Sequence, residues 1–177
     1  ILAMGLTAIW EMAFDLPSPA RLNDLLNINN PLQRRLMNSA PGTYHHCQMA
    51  ALLAENGAES IGANALLAKA AAAVHDAGKL KSPRHFAENQ ANGVNPHDEL
   101  PPVESARIII AHVADGDAIL QRFKVPAAVR AIVREHHGTT MAAYFYVKAK
   151  KMDPDTREAD FRYPGPKPSS KESAIVV

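Results

Sequence analysis

Apolar residues fall three and four apart through most of this chain, and proline or polar breaks separate the runs. That pattern predicts a series of short amphipathic helices. Ser18-Pro19 supplies a cap and a proline at the first helical position, opening a helix through Leu26. Pro31 opens a second, with Leu32, Leu36 and Met37 on one face. Pro41-Gly42-Thr43 reads as a break before a long helix over 44–58. The Ala-rich run over 64–77 is a strong helix former, with Gly78 as its stop and His75-Asp76 on its last turn. Residues 81–102 carry loop chemistry over a span long enough to suggest a functional loop. Further helices are expected over 104–114, from Pro126 to His136-His137-Gly138, and over 139–151. The Pro-rich stretch 152–170 excludes regular structure, and a last helix starts near Ser169 or Ser170. No strand pair or repeat stands out, so the expected fold class is all-α.

Composition narrows the function classes. The 177 residues suffice for one domain with a sizeable core. A net charge of +1 gives no reason to expect a long nucleic acid as partner. The basic clusters Arg34-Arg35 and Lys148 to Lys151 read as solvated helix faces. The single cysteine, Cys47, excludes an internal disulfide and reads as a small buried residue. Residues 1–14 are almost wholly apolar but too few to span a bilayer, which takes about 20. They read either as a first core helix or as the inner end of a membrane helix, in a chain whose two ends both look cut.

Candidate chemistry enters with eight histidines. His46 begins a long helix, His75 and Asp76 end the Ala-rich one, His112 follows the Ile108–Ile110 run, and His136-His137 end the helix begun by Pro126. Each sits in apolar surroundings where an unpaired imidazole is costly, and a shared metal would satisfy them together. Taken singly, a histidine bonded to a carbonyl is commoner than a ligand. Five imidazoles with one carboxylate exceed what one tetrahedral zinc needs and suit Fe, Mn, Zn or Co. The count argues for two metals, which at roughly 3.5–4 Å activate a nucleophile and stabilise in-line displacement at phosphorus.

The ordered set His46, His75-Asp76, His112 and His136-His137 resembles the HD-domain superfamily of metal-dependent phosphohydrolases. The strings Pro41-Gly42-Thr43-Tyr44-His45-His46, His75-Asp76-Ala77-Gly78-Lys79, Glu88-Asn89-Gln90, Asn95-Pro96-His97-Asp98 and His136-His137-Gly138-Thr139-Thr140 narrow it. They are similar to the cytoplasmic HD domain of the seven-transmembrane HD phosphodiesterases of the PgpH type. The resemblance implies a compact helical bundle with a metal centre between helices. It implies hydrolysis of cyclic di-AMP to pApA by metal-activated attack on phosphorus, with two divalent ions, iron or manganese. Residues 1–15 would be a juxtamembrane segment or the inner end of a membrane helix, and 16–177 a C-terminally truncated HD domain. The parent protein would sit in the membrane with this domain on its cytoplasmic face, and a homo-oligomer stays open.

Residue by residue, the resemblance implies that His46, His75 and Asp76 hold one metal, and Asp76, His112, His136 and His137 the other. Asp76 and Lys79 would be catalytic, with Lys79 on a substrate phosphate; its bland alternative is a solvated helix-end cation. His45 would face out, His85 would lie at the surface, and His97 with Glu88 to Gln90 would shape the binding loop. Tyr144 and Tyr146 are candidates to stack on adenine. The family closes its first site with a further aspartate that falls just beyond Val177, and Asp153, Asp155 and Asp160 are poor substitutes. Weak occupancy of that site and impaired activity are therefore expected. The runner-up is a phosphohydrolase acting on cyclic di-GMP, a nucleotide monophosphate or an RNA end; a non-catalytic dinucleotide sensor is the third reading.

Overall fold

The computed structural model describes residues 10–11, 13–90 and 93–177. The expected juxtamembrane segment, residues 1–15, lies mostly outside the described residues. Among the described residues the fold is all-α, and the one β feature is an isolated antiparallel bridge between Met141 and Arg162. No described helix is long and apolar enough to cross a membrane.

Helix α1 (Pro19–Leu26) starts where Ser18 accepts from the Arg21 amide, and buries Leu22 and Leu25. Asn30 caps α2 (Pro31–Ser39) through the Leu32 amide and sends Leu32 and Leu36 into the core. Helix α3 runs from Pro41 to Ser60, so Pro41-Gly42-Thr43 forms its first turn and not a break before it. Its cap is remote: Asn89 Oδ1 accepts from the Thr43 amide at 3.2 Å, across 46 positions in sequence. Ala51, Ala54 and Ala58 recur along α3 and lie against the alanines of α4 (Ala65–Ala72), where small side chains let the helices come close.

The Ala-rich helix ends at Ala72, five residues before the expected 77. His75 and Asp76 fall in the turn beyond it, and Ala77–Lys81 forms a 3₁₀ turn. Gly78 therefore does not stop α4. It lies against the backbone of α5 (Pro102–Arg122), a helix that outruns the expected 104–114 by nearly three turns, where a Cβ would sit 1.8 Å from the His112 carbonyl oxygen. Among the described residues between Lys81 and Pro102, the regular elements are three short 3₁₀ turns, Pro83–His85, Ala87–Asn89 and Pro96–Asp98.

Helix α6 (Ala127–Glu135) buries Val129, Ile132 and Val133 and ends at the His136-His137-Gly138 turn, where Gly138 takes φ +51. Helix α7 begins at Ala143 and ends at Met152. Residues 139–142, expected to be helical, instead pair with 161–163: the Ala142 amide donates to Phe161 O and the Tyr163 amide to Thr140 O. Ser170 caps α8 (Lys171–Val176), which packs on α3, α4 and α6. Buried Glu135 ties α8 to the end of α6, accepting from the Ser169 amide, the Ser169 hydroxyl and the Ser173 hydroxyl. The main core joins α1, α2, α4, α5 and α6.

Candidate metal centre

Four segments deliver the donors to one place. The first helical turns of α3 bring His46, the turn after α4 brings His75 and Asp76, the middle of α5 brings His112, and the turn after α6 brings His136 and His137. Asp76 stands between them and divides its oxygens. Its Oδ2 lies 3.5 Å from His46 Nε2, 3.2 Å from His75 Nε2 and 2.9 Å from the Lys79 ammonium. Its Oδ1 lies 3.2 Å from His112 Nε2 and 3.8 Å from His136 Nε2. Two groups of donor atoms result, His46–His75–Asp76 and His112–His136–His137, each within 4.8 Å of one another.

Ring orientation follows from the local backbone. His75 Nδ1 lies 2.7 Å from Ala72 O, His112 Nδ1 2.5 Å from Ile109 O, and His136 Nδ1 2.6 Å from Val133 O. A carbonyl oxygen only accepts, so each of these Nδ1 atoms carries the proton and each Nε2 turns toward Asp76. With Nδ1 holding a proton, Nε2 is the atom each ring offers to the centre, and the His112 and His136 Nε2 atoms stand 3.1 Å apart, a distance that calls for a proton or a metal ion between them. The donor set therefore fits metal ions: imidazole and carboxylate facing in, with backbone carbonyls orienting the rings from behind. Cys47 Sγ lies 3.7 Å from His75 Nδ1, on the side away from the donors.

The charges are arranged accordingly. Burial opposes a charge on Asp76, but His75, His112 and Lys79 outweigh it and hold its carboxyl well below the usual carboxylate range. Burial likewise opposes a charge on His75, and Asp76 beside it keeps that imidazole well above its ordinary value. Burial, with His75 and His137 adding to it, pushes His136 down to about 3. Burial and then His112 push His137 down to about 4. These two rings are neutral, ligand-ready imidazoles.

A stability consequence follows. His136 and His137 titrate near 6.5 when unfolded and far lower when folded, so below pH 6.5 the unfolded chain binds more protons. Stability should fall as pH drops through this window. The contribution of His75, whose folded value is raised, is already fully present below 6.5 and cannot offset the loss. Thermal melts of the metal-stripped chain followed by circular dichroism should show the midpoint falling from pH 6.5 toward 4; a flat profile would contradict this assignment.

Lys79 is not a solvated helix-end cation. Its ammonium, 14% exposed, also donates to Glu88 Oε1 at 2.7 Å and lies 4.9 Å above the Phe86 ring. Glu88 Oε1 in turn accepts from the Thr43 hydroxyl at 3.0 Å, which links Lys79 to α3 one turn before His46. Other candidates fall outside the centre. His45 is exposed. Tyr144 is 69% exposed on α7, and Tyr146 packs on Phe161 in a separate cluster, so neither reaches the donors. Asp153, Asp155 and Asp160 are exposed, and Asp160 pairs with Arg157. His85 is half-buried, not at the surface as expected, and its carbonyl lies 2.8 Å from Nε2 of buried His97. Sequence reasoning missed Phe86 and Tyr163. Tyr163 stacks on His137 with ring centroids 4.3 Å apart, yet a lone aromatic in a Pro-rich stretch carries no periodic signal.

Comparison with known proteins agrees with this geometry. The cyclic-di-AMP phosphodiesterase PgpH of Listeria monocytogenes serotype 1/2a (strain 10403S) is 48% identical over 176 residues, covering 99% of this chain and 24% of that protein. The protein of the same name from Bacillus subtilis (strain 168) is 47% identical over 176 residues, covering 99% of this chain and 25% of its own length. The chain thus spans about a quarter of the length of these relatives. The crystal structure of the L. monocytogenes PgpH HD domain in complex with cyclic-di-AMP superposes with a TM-score of 0.82 at 50% identity, covering 85% of this chain and 70% of that one. The HD domain pattern matches residues 43–176. That span starts in the first turn of α3, ends with α8 and takes in all six donors, so this chain belongs to the HD domain family.

Proposed function

We propose that this chain is a metal-dependent phosphodiesterase that hydrolyses cyclic di-AMP to pApA. The observation that carries the reading is the convergence of two pairs of imidazoles on the two oxygens of Asp76, His46 and His75 on Oδ2, and His112 and His136 on Oδ1. The identity to PgpH proteins and the likeness to a cyclic-di-AMP complex support the substrate. His46, His75 and Asp76 would hold one ion, and Asp76, His112, His136 and His137 the other, with iron or manganese expected. The first group is the weaker within these residues, because the His46 side chain is 52% exposed. Divalent ions held there would supply Lewis acidity to a phosphoryl oxygen and acidify a water. Hydrolysis adds that water across one P–O3′ bond: its oxygen joins phosphorus and a proton goes to the departing 3′-oxygen, leaving a 5′-phosphate and a 3′-hydroxyl.

The chain's own groups prepare that step. Asp76 stays ionised and faces both donor groups. His136 and His137 stay neutral, and carbonyl bonds pre-aim His75, His112 and His136, so little reorganisation of these rings accompanies binding. Lys79 neutralises charge on the substrate phosphate, releasing one of its two carboxylate partners to do so. In this reading residues 1–15 are the juxtamembrane end of a membrane-held parent, and 16–177 its HD domain on the cytoplasmic face.

Metal-loaded protein offered cyclic di-AMP, cyclic di-GMP and simple nucleotides tests the proposal. Preferential release of pApA from cyclic di-AMP supports it, and turnover of only another substrate favours the broader phosphohydrolase reading. Glu88→Gln should remove one anchor from Lys79 and lower turnover about tenfold, ~1.4 kcal/mol of barrier, with metal uptake unchanged. Steady-state kinetics with elemental analysis of the same samples check both halves.

A further inference from the structure

Resting on the metal-centre reading, we infer that Tyr163 is a positioning residue whose ring face sets the orientation of His137. His75, His112 and His136 are each fixed by a carbonyl three residues earlier. Among the described residues His137 has no such bond. Its ring instead lies between two others. The His136 ring is 4.2 Å away at an interplanar angle of 43°, and the Tyr163 ring is 4.3 Å away at 23°, close to parallel. The parallel stack restrains rotation of the imidazole about its bond to Cβ, the freedom that carbonyl bonds remove from the other three.

The platform is itself held firmly. Tyr163 is 7% exposed, and its neighbour Phe161 is fully buried. The Tyr163 amide donates to Thr140 O at 2.9 Å, the Ala142 amide to Phe161 O at 2.8 Å, and the Arg162 guanidinium to Thr139 O at 2.9 Å. Segment 161–163 is thus laced to the strand of chain that leaves His137, so ring and platform share one short frame. Tyr163 also stands nearly perpendicular to the His112 ring, with centroids 6.1 Å apart.

Aqueous Mn²⁺ titrated into native protein, Tyr163→Phe and Tyr163→Leu, with uptake followed by calorimetry and electron paramagnetic resonance, tests the inference. Tyr163→Phe keeps the ring face and should bind like the native chain. Tyr163→Leu should lose about 10- to 100-fold in affinity at one of the two sites, the range for removing an orienting partner. Tyr163→Met, which keeps bulk without a ring, should repeat the loss if the leucine variant melts too low to assay. Native affinity in the leucine and methionine variants, or an equal loss in Tyr163→Phe, would overturn it. Failure of the native chain to take up Mn²⁺ would sink the metal-centre reading instead, so the two failures are distinguishable.

Discussion

Replacing Asp76 with Ala should lower turnover of cyclic di-AMP by about a thousandfold or more, ~4 kcal/mol of barrier. The size follows from the position of the carboxylate. Each oxygen faces a different donor group, so one truncation strips a ligand from both at once. Truncation also leaves the buried Lys79 ammonium with Glu88 as its remaining carboxylate. Breaking a buried ion pair from one side typically costs about 3–5 kcal/mol, so the alanine variant should lose stability as well. Asp76→Asn separates the two effects: it keeps the shape, should stay folded by circular dichroism, and should still lose metal uptake and turnover. A folded Asp76→Asn protein that binds two ions and turns over normally would contradict the shared role of this residue.

The second large effect is structural and lies two residues away. Gly78→Ala should destabilise the fold by about 3–5 kcal/mol, at the high end for a single substitution. The added Cβ would stand 1.8 Å from His112 O, 2.5 Å from the Gly116 amide nitrogen and 2.7 Å from the His112 carbonyl carbon. All three are backbone atoms of α5, so no rotamer change relieves the clash. The 3₁₀ turn must move away from α5, carrying Asp76 and Lys79 from His112. Denaturant unfolding and Mn²⁺ uptake should both register the change. Native stability and uptake in the variant would show that the turn and α5 pack less closely than described.

These effects mark where sequence patterns inform and where they stop. Helix starts at Ser18-Pro19, Asn30-Pro31 and Ser170 are legible because cap and helix are neighbours. The start of α3 is not, because its cap comes from Asn89 on a distant loop. Alanine propagates a helix on paper as far as Gly78, but tertiary contacts end α4 at Ala72, where the backbone turns to set His75 over the Ala72 carbonyl. The extra turns of α5 run through Gly116, a weak helix former that packs where Gly78 approaches. The types and order of the metal donors can be read from the chain, since histidines in apolar helices need partners. The division of Asp76 between two groups, the Glu88 contact to Lys79 and the Tyr163 platform are tertiary facts with no local signature. The two exposed or separately packed tyrosines of α7 show the converse, aromatics with a plausible sequence role and no path to the centre.

The most direct measurement is crystallographic: anomalous scattering from crystals of the protein soaked with Mn²⁺. The account predicts two peaks flanking the Asp76 carboxylate, one beside His46 and His75 and the other beside His112, His136 and His137. A single peak remote from Asp76, or none under conditions where the dissolved protein takes up Mn²⁺, would contradict it.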